Sequence, residues 1–188
     1  MKEQQKSTEK MFWISVFKMV AGYGFKPEWE SMGHRIDLRT LDSLISRFHD
    51  DPDLPGFYGI RIPVANCCGL TLNLLIENQK ELVLGVQADE GDGSFGECSF
   101  ESLTGLLDDL VQSRRAWNFE APGWLAWKTT AVRLNFRKRG NLAFMDMAAK
   151  RANSEALYLI SGEIADILDE LTGIAEKEQV ESYGAVAV

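Results

Sequence analysis

Hydrophobic and polar residues alternate along three successive stretches of the chain between residues 57 and 88. A period of two is typical of a β-strand with one buried face, because neighbouring side chains point to opposite sides of a sheet. Short polar segments at 66–69 and 78–81 separate the three stretches and suit turns. The pattern over residues 57–88 therefore predicts a three-stranded antiparallel meander.

Most of the remaining chain has the residue spacing of helices. Apolar residues nearly encircle a first helix from about Glu9 to Ala21, which predicts deep burial or a partner. Asp37 suits the N-cap of a second helix, and Ser99 that of a third. A helical pair over 142–151 and 154–172 closes the pattern.

A fourth strand is predicted near residues 130–137, where Val132, Leu134 and Phe136 alternate with polar residues. The whole pattern predicts an α+β fold. Its centre is a small, mostly antiparallel sheet of about four strands, packed by N- and C-terminal helices.

The chain length of 188 residues fits one domain with a substantial core. We expect a disordered lead-in at residues 1–8, a single domain over 9–173 and a frayed tail at 174–188. No apolar run reaches the roughly 18 residues of a membrane span, and the polar N-terminus argues against a secretory signal. The 3 cysteines cannot all pair with one another, which suits a reducing compartment. A cytoplasmic protein without membrane contact is predicted.

Charge is unevenly distributed along the chain. The net charge is −8, but residues 114–151 carry about +7 and the remainder about −15. Aromatic residues are interleaved with the basic ones. This combination permits nucleic-acid contact, because cations neutralise phosphates and aromatic rings stack on bases. The predicted binding residues of this basic segment are Arg133, Arg137, Lys138, Arg139, Trp124 and Trp127.

The alternative interpretation of the basic segment is structural. Its cations would then form a solvated face docked on the acidic surface of the chain. Its aromatic residues would fill the core, where large aromatic side chains are more often found. The apolar first helix likewise permits a second interpretation, self-association or a protein partner contacted through Phe12, Trp13 and Phe17.

Motifs of the common enzyme chemistries are missing from the sequence. It contains no Gly-x-Ser-x-Gly elbow and no phosphate-binding loop. His34 and His49 lie in no metal-ligand spacing, and the acidic loop from Asp89 to Asp92 departs from the calcium-loop template. We therefore predict no catalytic residue, no metal site and no cofactor.

A metal-dependent nuclease of the PD-(D/E)XK type is the enzymatic alternative. Such a site needs an aspartate and an acid-x-lysine pair at adjacent strand ends, to hold a cation and polarise a water. The nearest match combines Asp53 with Glu77 and Lys80, and its lysine lies one position too far along. A site assembled from distant carboxylates would use Asp53, Glu77 and Asp89.

Aromatic and strand-like stretches recur between residues 10 and 172. They are Phe12-Trp13 before Gly22-Tyr23-Gly24-Phe25, then Phe57-Tyr58-Gly59-Ile60-Arg61-Ile62, Leu82-Val83-Leu84-Gly85-Val86, Trp124-Leu125-Ala126-Trp127-Lys128 and Leu134-Asn135-Phe136-Arg137. This pattern resembles the C-terminal accessory region that follows the catalytic core in some bacterial PD-(D/E)XK nuclease-superfamily proteins. The family's nuclease core has no residue-by-residue match here. The resemblance therefore carries over no catalytic residue and implies a recognition or assembly module.

These observations favour a non-enzymatic binding or regulatory protein of the bacterial or phage cytoplasm. Its predicted contact with nucleic acid or a protein partner lies in the basic, aromatic-rich segment 114–151. The alternative is a divergent metal-dependent nuclease.

Overall fold

Six strands form one antiparallel sheet in the order β2-β1-β3-β4-β5-β6. The structure is a computed structural model that describes residues 2–67, 70–90, 105, 108–113, 116–119 and 124–185. The strands are β1 (Glu28–Ser31), β2 (His34–Arg35), β3 (Tyr58–Cys67), β4 (Leu70–Asn78), β5 (Leu82–Glu90) and β6 (Ala126–Thr129). The helices are α1 (Lys2–Gly22), α2 (Leu38–Asp50), α3 (Leu142–Lys150) and α4 (Glu155–Ala185), and a 3-10 turn at Arg151–Asn153 joins the last two.

Strands β3, β4 and β5 are the predicted meander. Each pairs antiparallel with the next, and their alternate apolar residues are buried on one face. The α+β class, with helices from both ends of the chain, is thereby confirmed. Helix α2 begins where the sequence places its cap, because the Asp37 carboxylate accepts a hydrogen bond from the backbone N–H of Thr40 at 2.7 Å.

Helix α1 occupies the centre of the core, which explains its nearly all-round apolar surface. Phe12, Trp13, Val16 and Val20 are fully buried. The predicted disordered lead-in at residues 1–8 is corrected by the structure, in which α1 already begins at Lys2. The reason is tertiary: the Gln5 side chain is buried and donates hydrogen bonds to the carbonyls of Phe136 and Arg137, each at 3.3 Å.

The C-terminal helix also extends beyond its predicted end. Helix α4 continues to Ala185 instead of fraying from residue 174. Ala175 is fully buried, and Lys177 forms an ion pair with Asp109 at 2.8 Å, so the additional turns pack against the chain. Residues 108–112 are helical, in line with the third predicted helix, whose start at Ser99 lies outside the described residues.

The structure does not contain the strand predicted near residues 130–137. The strand, β6, lies earlier, at Ala126–Thr129, and residues 130–137 are irregular. Side chains there form hydrogen bonds with the local backbone. The Thr130 hydroxyl donates to the backbone carbonyl of Val132 at 2.8 Å, and the side-chain oxygen Oδ1 of Asn135 accepts from the N–H of Arg137 at 3.0 Å. Leu134 and Phe136 are still buried, so the alternation reflects burial without a strand ladder.

Strands β1 and β2 are absent from the sequence prediction. They are only 4 and 2 residues long and carry charged side chains. In the described ranges, no helix combines the length and apolar character that a membrane crossing requires.

Candidate functional site

The sheet has two unlike faces. One is the core face, where Tyr58, Ile60 and Ile62 of β3 meet the helices. The opposite side, here called the outer face, carries the alternate residues of each strand, many of them polar. By register they are Glu28, Glu30, Gly59, Arg61, Asn73, Leu75, Glu77, Val83, Gly85, Gln87, Asp89 and Trp127.

A cleft of about 540 Å³ lies on the outer face. We call it the glutamate–tryptophan cleft. Its lining residues combine carboxylates, amides, tryptophans and apolar side chains. They are Glu30, Glu77, Gln79, Gln87, Trp124, Trp127, Met32, Gly33, Phe57, Leu75 and Val83.

Glu30 and Glu77 reach this cleft from either side of the same glycine. Gly59 of β3 pairs with Glu30 of β1 and with Glu77 of β4. Because side chains at paired positions point to the same face, both carboxylates lie on the outer face with no side chain between them. The chain thus places two acids near one another in a largely enclosed position.

The Glu30 carboxylate is only partly satisfied. Its side chain is 6% exposed, and one oxygen, Oε1, accepts a hydrogen bond from the N–H of Gly33 at 2.8 Å. The other oxygen, Oε2, is buried without a hydrogen-bond partner. A buried carboxylate oxygen in that condition is costly unless something pairs with it.

Glu77 is also enclosed, with 9% of its surface exposed. Burial raises the pKa of its carboxyl group, and the nearby Glu30 carboxylate raises it further. The hydrogen bond that Gln79 Nε2 donates to Glu77 Oε2 at 2.8 Å acts in the opposite direction and lowers this pKa. Burial is the largest of these effects, and together with the Glu30 carboxylate it disfavours ionisation of Glu77.

The neighbouring acids on the outer face are paired, in contrast to these two. Glu28 forms an ion pair with Arg35 at 3.1 Å, and Asp89 forms one with Arg61. In the part of the chain that the structure describes, neither Glu30 nor Glu77 forms an ion pair. The cleft therefore holds two carboxylates and lacks the cation that the adjacent acids possess.

Two tryptophans form an aromatic wall of the cleft. Trp127 belongs to β6, and its indole Nε1 is buried without a hydrogen-bond partner. Trp124 packs over Gly85 so closely that a methyl group there would lie 2.2 Å from the ring. The structure thus brings Trp124 and Trp127 together beside two acids, and Trp127 also lines a second cleft with Arg137.

The rim of the cleft is conformationally strained. Met32 and Phe57 have positive φ angles of 52° and 45°, which side chains other than glycine rarely adopt. Their side chains remain 73% and 36% exposed, so the strain does not serve to bury them. The N–H of Met32 donates to the carbonyl of Phe57 at 3.2 Å, which holds the two rim residues together. Exposed apolar side chains beside enclosed acids are typical of a binding site.

The predicted contact residue Arg137 is occupied within the fold. Its guanidinium donates to the carbonyl of Phe48, to that of Asp51 at 2.7 Å and to those of Pro52 and Leu54. Its Cζ also lies 3.7 Å from the centre of the Phe48 ring. These carbonyls belong to the last turn of α2 and to the residues after it, where backbone acceptors lack helical partners. Arg137 thus holds the end of α2, and its assignment as a nucleic-acid contact stays a prediction.

The other cations of the basic segment divide into two groups. Arg133 is paired with Glu81 at 2.6 Å, Lys128 with Glu163 and Lys150 with Asp146. The bond from Lys150 is the first of the contacts that hold the pKa of Asp146 well below its usual range. Lys138, Arg139 and Arg151 are exposed and, among the described residues, form no ion pair. The expected docking of basic residues on the chain's own acids thus describes three of the seven described cations of this segment.

The proposed self-association surface lies in the core. Phe12 and Trp13 are fully buried and meet edge to face with ring centroids 5.1 Å apart. Phe17 is partly buried and stacks on Trp29 at 4.4 Å. Because Phe12 and Trp13 have no exposed surface, neither contributes to contact with a second molecule.

The structure contains a buried polar network that was not predicted from the sequence. Glu9, fully buried on α1, accepts hydrogen bonds at Oε1 from Tyr58 at 2.6 Å, Asn78 at 2.9 Å and Trp13 at 3.2 Å. Its Oε2 lies 2.6 Å from His49 Nε2. Burial raises the pKa of the Tyr58 hydroxyl far above its usual range, and the Glu9 charge adds to this. The network joins α1, α2, β3 and β4 and is closed to ligands.

The carboxylates of the nuclease hypothesis do not meet. Asp53, Glu77 and Asp89 line three separate clefts. Asp89 belongs to β5, so the predicted acidic loop begins with strand residues, and the remainder of that loop lies outside the described residues. In the described ranges, no group of three or more histidines, cysteines and acids is arranged to hold a metal ion.

Comparison of the chain with protein-family models, curated proteins and solved structures finds no match. The resemblance to the PD-(D/E)XK accessory region therefore remains a prediction.

Proposed function

We propose that this protein is a non-catalytic, cytoplasmic binding module whose ligand occupies the glutamate–tryptophan cleft. The observation that carries this proposal is the pair of enclosed carboxylates, Glu30 and Glu77, which lie beside Trp124 and Trp127 and have no ion-pair partner among the described residues. A core that required these acids only for stability would pair them, as the same sheet does with Glu28 and Asp89.

The dimensions of the cleft suit a small ligand or one protruding side chain. A volume of about 540 Å³ falls within the range of about 300–1,000 Å³ typical of small-molecule sites. Apolar residues Leu75 and Val83 provide contact area, and Gln79 and Gln87 supply amide groups that orient a polar ligand. This division between apolar lining and a few polar groups is typical of recognition sites.

The basic segment contributes less than its charge suggests. Arg137 binds backbone carbonyls and Arg133 binds Glu81, which leaves Lys138, Arg139 and Arg151 as its exposed unpaired cations in the described ranges. Nucleic-acid affinity depends on many simultaneous phosphate contacts. Contact with nucleic acid through Lys138 and Arg139 is accordingly the competing hypothesis, not the leading one.

The experiment is a ligand screen read by NMR on the ¹⁵N-labelled protein. The reporters are the indole N–H signals of Trp124 and Trp127 and the side-chain amide signals of Gln79 and Gln87, assigned by substitution. Probes should include small organic cations, neutral sugars and nucleotides at millimolar concentration. A ligand of the cleft shifts these signals and leaves the indole signal of the fully buried Trp13 unchanged.

Two results would contradict the proposal. One is a screen in which no probe of any charge shifts the cleft signals. The other is binding of an oligonucleotide that is abolished by Lys138→Glu with Arg139→Glu, which would assign recognition to the basic segment. Magnesium- or manganese-dependent cleavage of DNA or RNA, repeated with two preparations, would support the nuclease alternative instead.

A further inference from the structure

The charge balance of the glutamate–tryptophan cleft indicates the class of its ligand. The charged side chains that line it are Glu30 and Glu77, and no lysine or arginine of the described residues joins them. The adjacent cleft of about 400 Å³ shares Glu30 and adds Glu28 and Asp89, which form ion pairs with Arg35 and Arg61. Across the two clefts, Glu30 and Glu77 are thus the acids for which the described residues supply no ion-pair partner.

We propose that the glutamate–tryptophan cleft binds an organic cation, an ammonium or guanidinium group, between Glu30 and Glu77 and against the tryptophan wall. This inference rests on the proposed function, since it specifies the ligand of the same site. A cation supplies the missing partner of Glu30 Oε2, which is buried and receives no hydrogen bond.

The two tryptophans of the cleft also favour a cationic ligand. A cation over the face of a tryptophan is attracted by the negative charge of the ring, most strongly where water is excluded. Trp124 is held against Gly85, and Trp127 is fixed by the pairing of β6 with β5, so both rings have set positions. A rigid aromatic surface beside carboxylates binds a cation without a large loss of side-chain freedom.

The size of the cleft favours an organic cation over a bare metal ion. Its volume of about 540 Å³ is many times the roughly 30 Å³ that one water molecule occupies. Glu30 and Glu77 supply fewer than the six to eight oxygen ligands that calcium takes, and the apolar residues Leu75 and Val83 cannot coordinate an ion. Apolar lining instead matches the methylene groups that carry an ammonium or guanidinium.

The ionisation of the two acids is consistent with such a ligand. The pKa of Glu77 is raised by burial and by the Glu30 carboxylate. An incoming cation favours the ionised form of Glu77, so binding of the cation and deprotonation of Glu77 support one another. The groups that face Glu77 are Glu30 from β1, Gln79 beyond the end of β4 and the uncharged Gln87 of β5.

The same chemistry has two sources, a free amine or a basic side chain of another protein. N-acetyl-arginine methylamide and N-acetyl-lysine methylamide represent the side chains, and putrescine represents free amines. N-acetyl-citrulline methylamide and N-acetyl-norleucine methylamide have the same shapes without the charge. Tighter binding of the amino-acid probes than of putrescine would identify a protein side chain, and the reverse would identify a small amine.

The experiment is an NMR and calorimetric titration of the full chain with these five probes. At least one cation should bind and shift the Trp127 indole signal, and its neutral counterpart should bind at least tenfold more weakly. Glu30→Gln and Glu77→Gln should each weaken the cation at least tenfold, since a glutamine keeps the shape and removes the charge. Asp42→Asn, which removes an acid of α2 that is paired with Lys10 and does not line the cleft, is the control and should leave affinity unchanged.

Three results would overturn the inference. Citrulline or norleucine probes that bind as tightly as the cations would show a neutral ligand. Cation binding unaffected by Glu30→Gln and by Glu77→Gln would place the ligand elsewhere. Binding of only sugars or nucleotides in the cleft would refute the cationic ligand and leave the proposed binding function intact. Binding of no probe at all would refute both proposals.

Discussion

Glu30 of β1 and Glu77 of β4 lie on either side of Gly59 on the outer face, two enclosed carboxylates with no cation of the described residues between them. This relationship has a consequence for stability as a function of pH. Burial raises the pKa of Glu77 in the folded chain above its ordinary value of 4.5. The folded chain then binds the Glu77 proton more tightly than the unfolded chain, and stability falls as pH rises through this range.

Glu77→Gln should therefore stabilise the protein at about pH 8 and make little difference at about pH 4, where the raised pKa keeps the Glu77 carboxyl group protonated in the folded chain. Glutamine preserves the hydrogen bond with Gln79. Urea unfolding of the variant and the parent at both pH values measures the difference. Glu28→Gln is the control, because it removes an arginine-paired carboxylate of the same strand. Stabilisation of Glu77→Gln that is equal at both pH values would contradict the account.

The contact between Trp124 and Gly85 gives a second prediction. Gly85→Ala would place a methyl group 2.2 Å from the Trp124 ring, so the ring must move away. We expect a folded protein with a red-shifted tryptophan emission, a stability loss of about 1–3 kcal/mol and weaker ligand binding. Gly22→Ala, where a new methyl group meets nothing within 4 Å, is the control for a glycine change. An unshifted emission spectrum with unchanged affinity would show that Trp124 does not form the wall.

Arg137 tests whether the basic segment is structural. Arg137→Ala removes a guanidinium that donates to four carbonyls in the last turn of α2 and just after it and stacks on Phe48, which should cost on the order of 2–4 kcal/mol. Lys138→Ala, at the exposed neighbouring position, should change the free energy of unfolding by less than about 0.5 kcal/mol. Chemical denaturation measures both. Equal effects of the two substitutions would show that the Arg137 side chain is not held by these carbonyls and is available for contact at the surface.

The buried network around Glu9 provides a fourth prediction. Glu9→Ala leaves Trp13, Tyr58 and Asn78 without their shared acceptor and should cost about 3–5 kcal/mol. Tyr58→Phe removes one donor from an acceptor that retains two others and should cost about 1 kcal/mol. Equilibrium unfolding compares the two variants. If Glu9→Ala were no more damaging than Tyr58→Phe, the network would not hold the helices to the sheet.

Local patterns were sufficient to predict the meander, the α2 cap and the burial of α1. Each depends on residues close together in sequence: alternation along β3, β4 and β5, and Asp37 followed by the N–H of Thr40. The start of α1 was not predictable, because residues 1–8 are polar and become ordered through distant contacts such as that of Gln5 with Phe136.

The candidate site was only partly accessible to sequence reasoning. Trp124 and Trp127 were selected for their aromatic character and do line the cleft. Glu30 was not, because it lies on a strand of 4 residues and reaches Glu77 only through the pairing of β1 and β4 with β3. The contacts of the cations could not be predicted either. Every residue has a backbone carbonyl, so residue types do not reveal which carbonyls bind Arg137.

The most direct measurement is a crystal structure of the protein with the tightest-binding cationic probe of the titration. The account predicts a ligand nitrogen within hydrogen-bond distance, about 2.7–3.2 Å, of Glu30 Oε2, with the cationic group also facing Glu77 and a tryptophan ring. A probe bound outside the glutamate–tryptophan cleft, or a cleft filled by the chain's own side chains in that crystal, would contradict it.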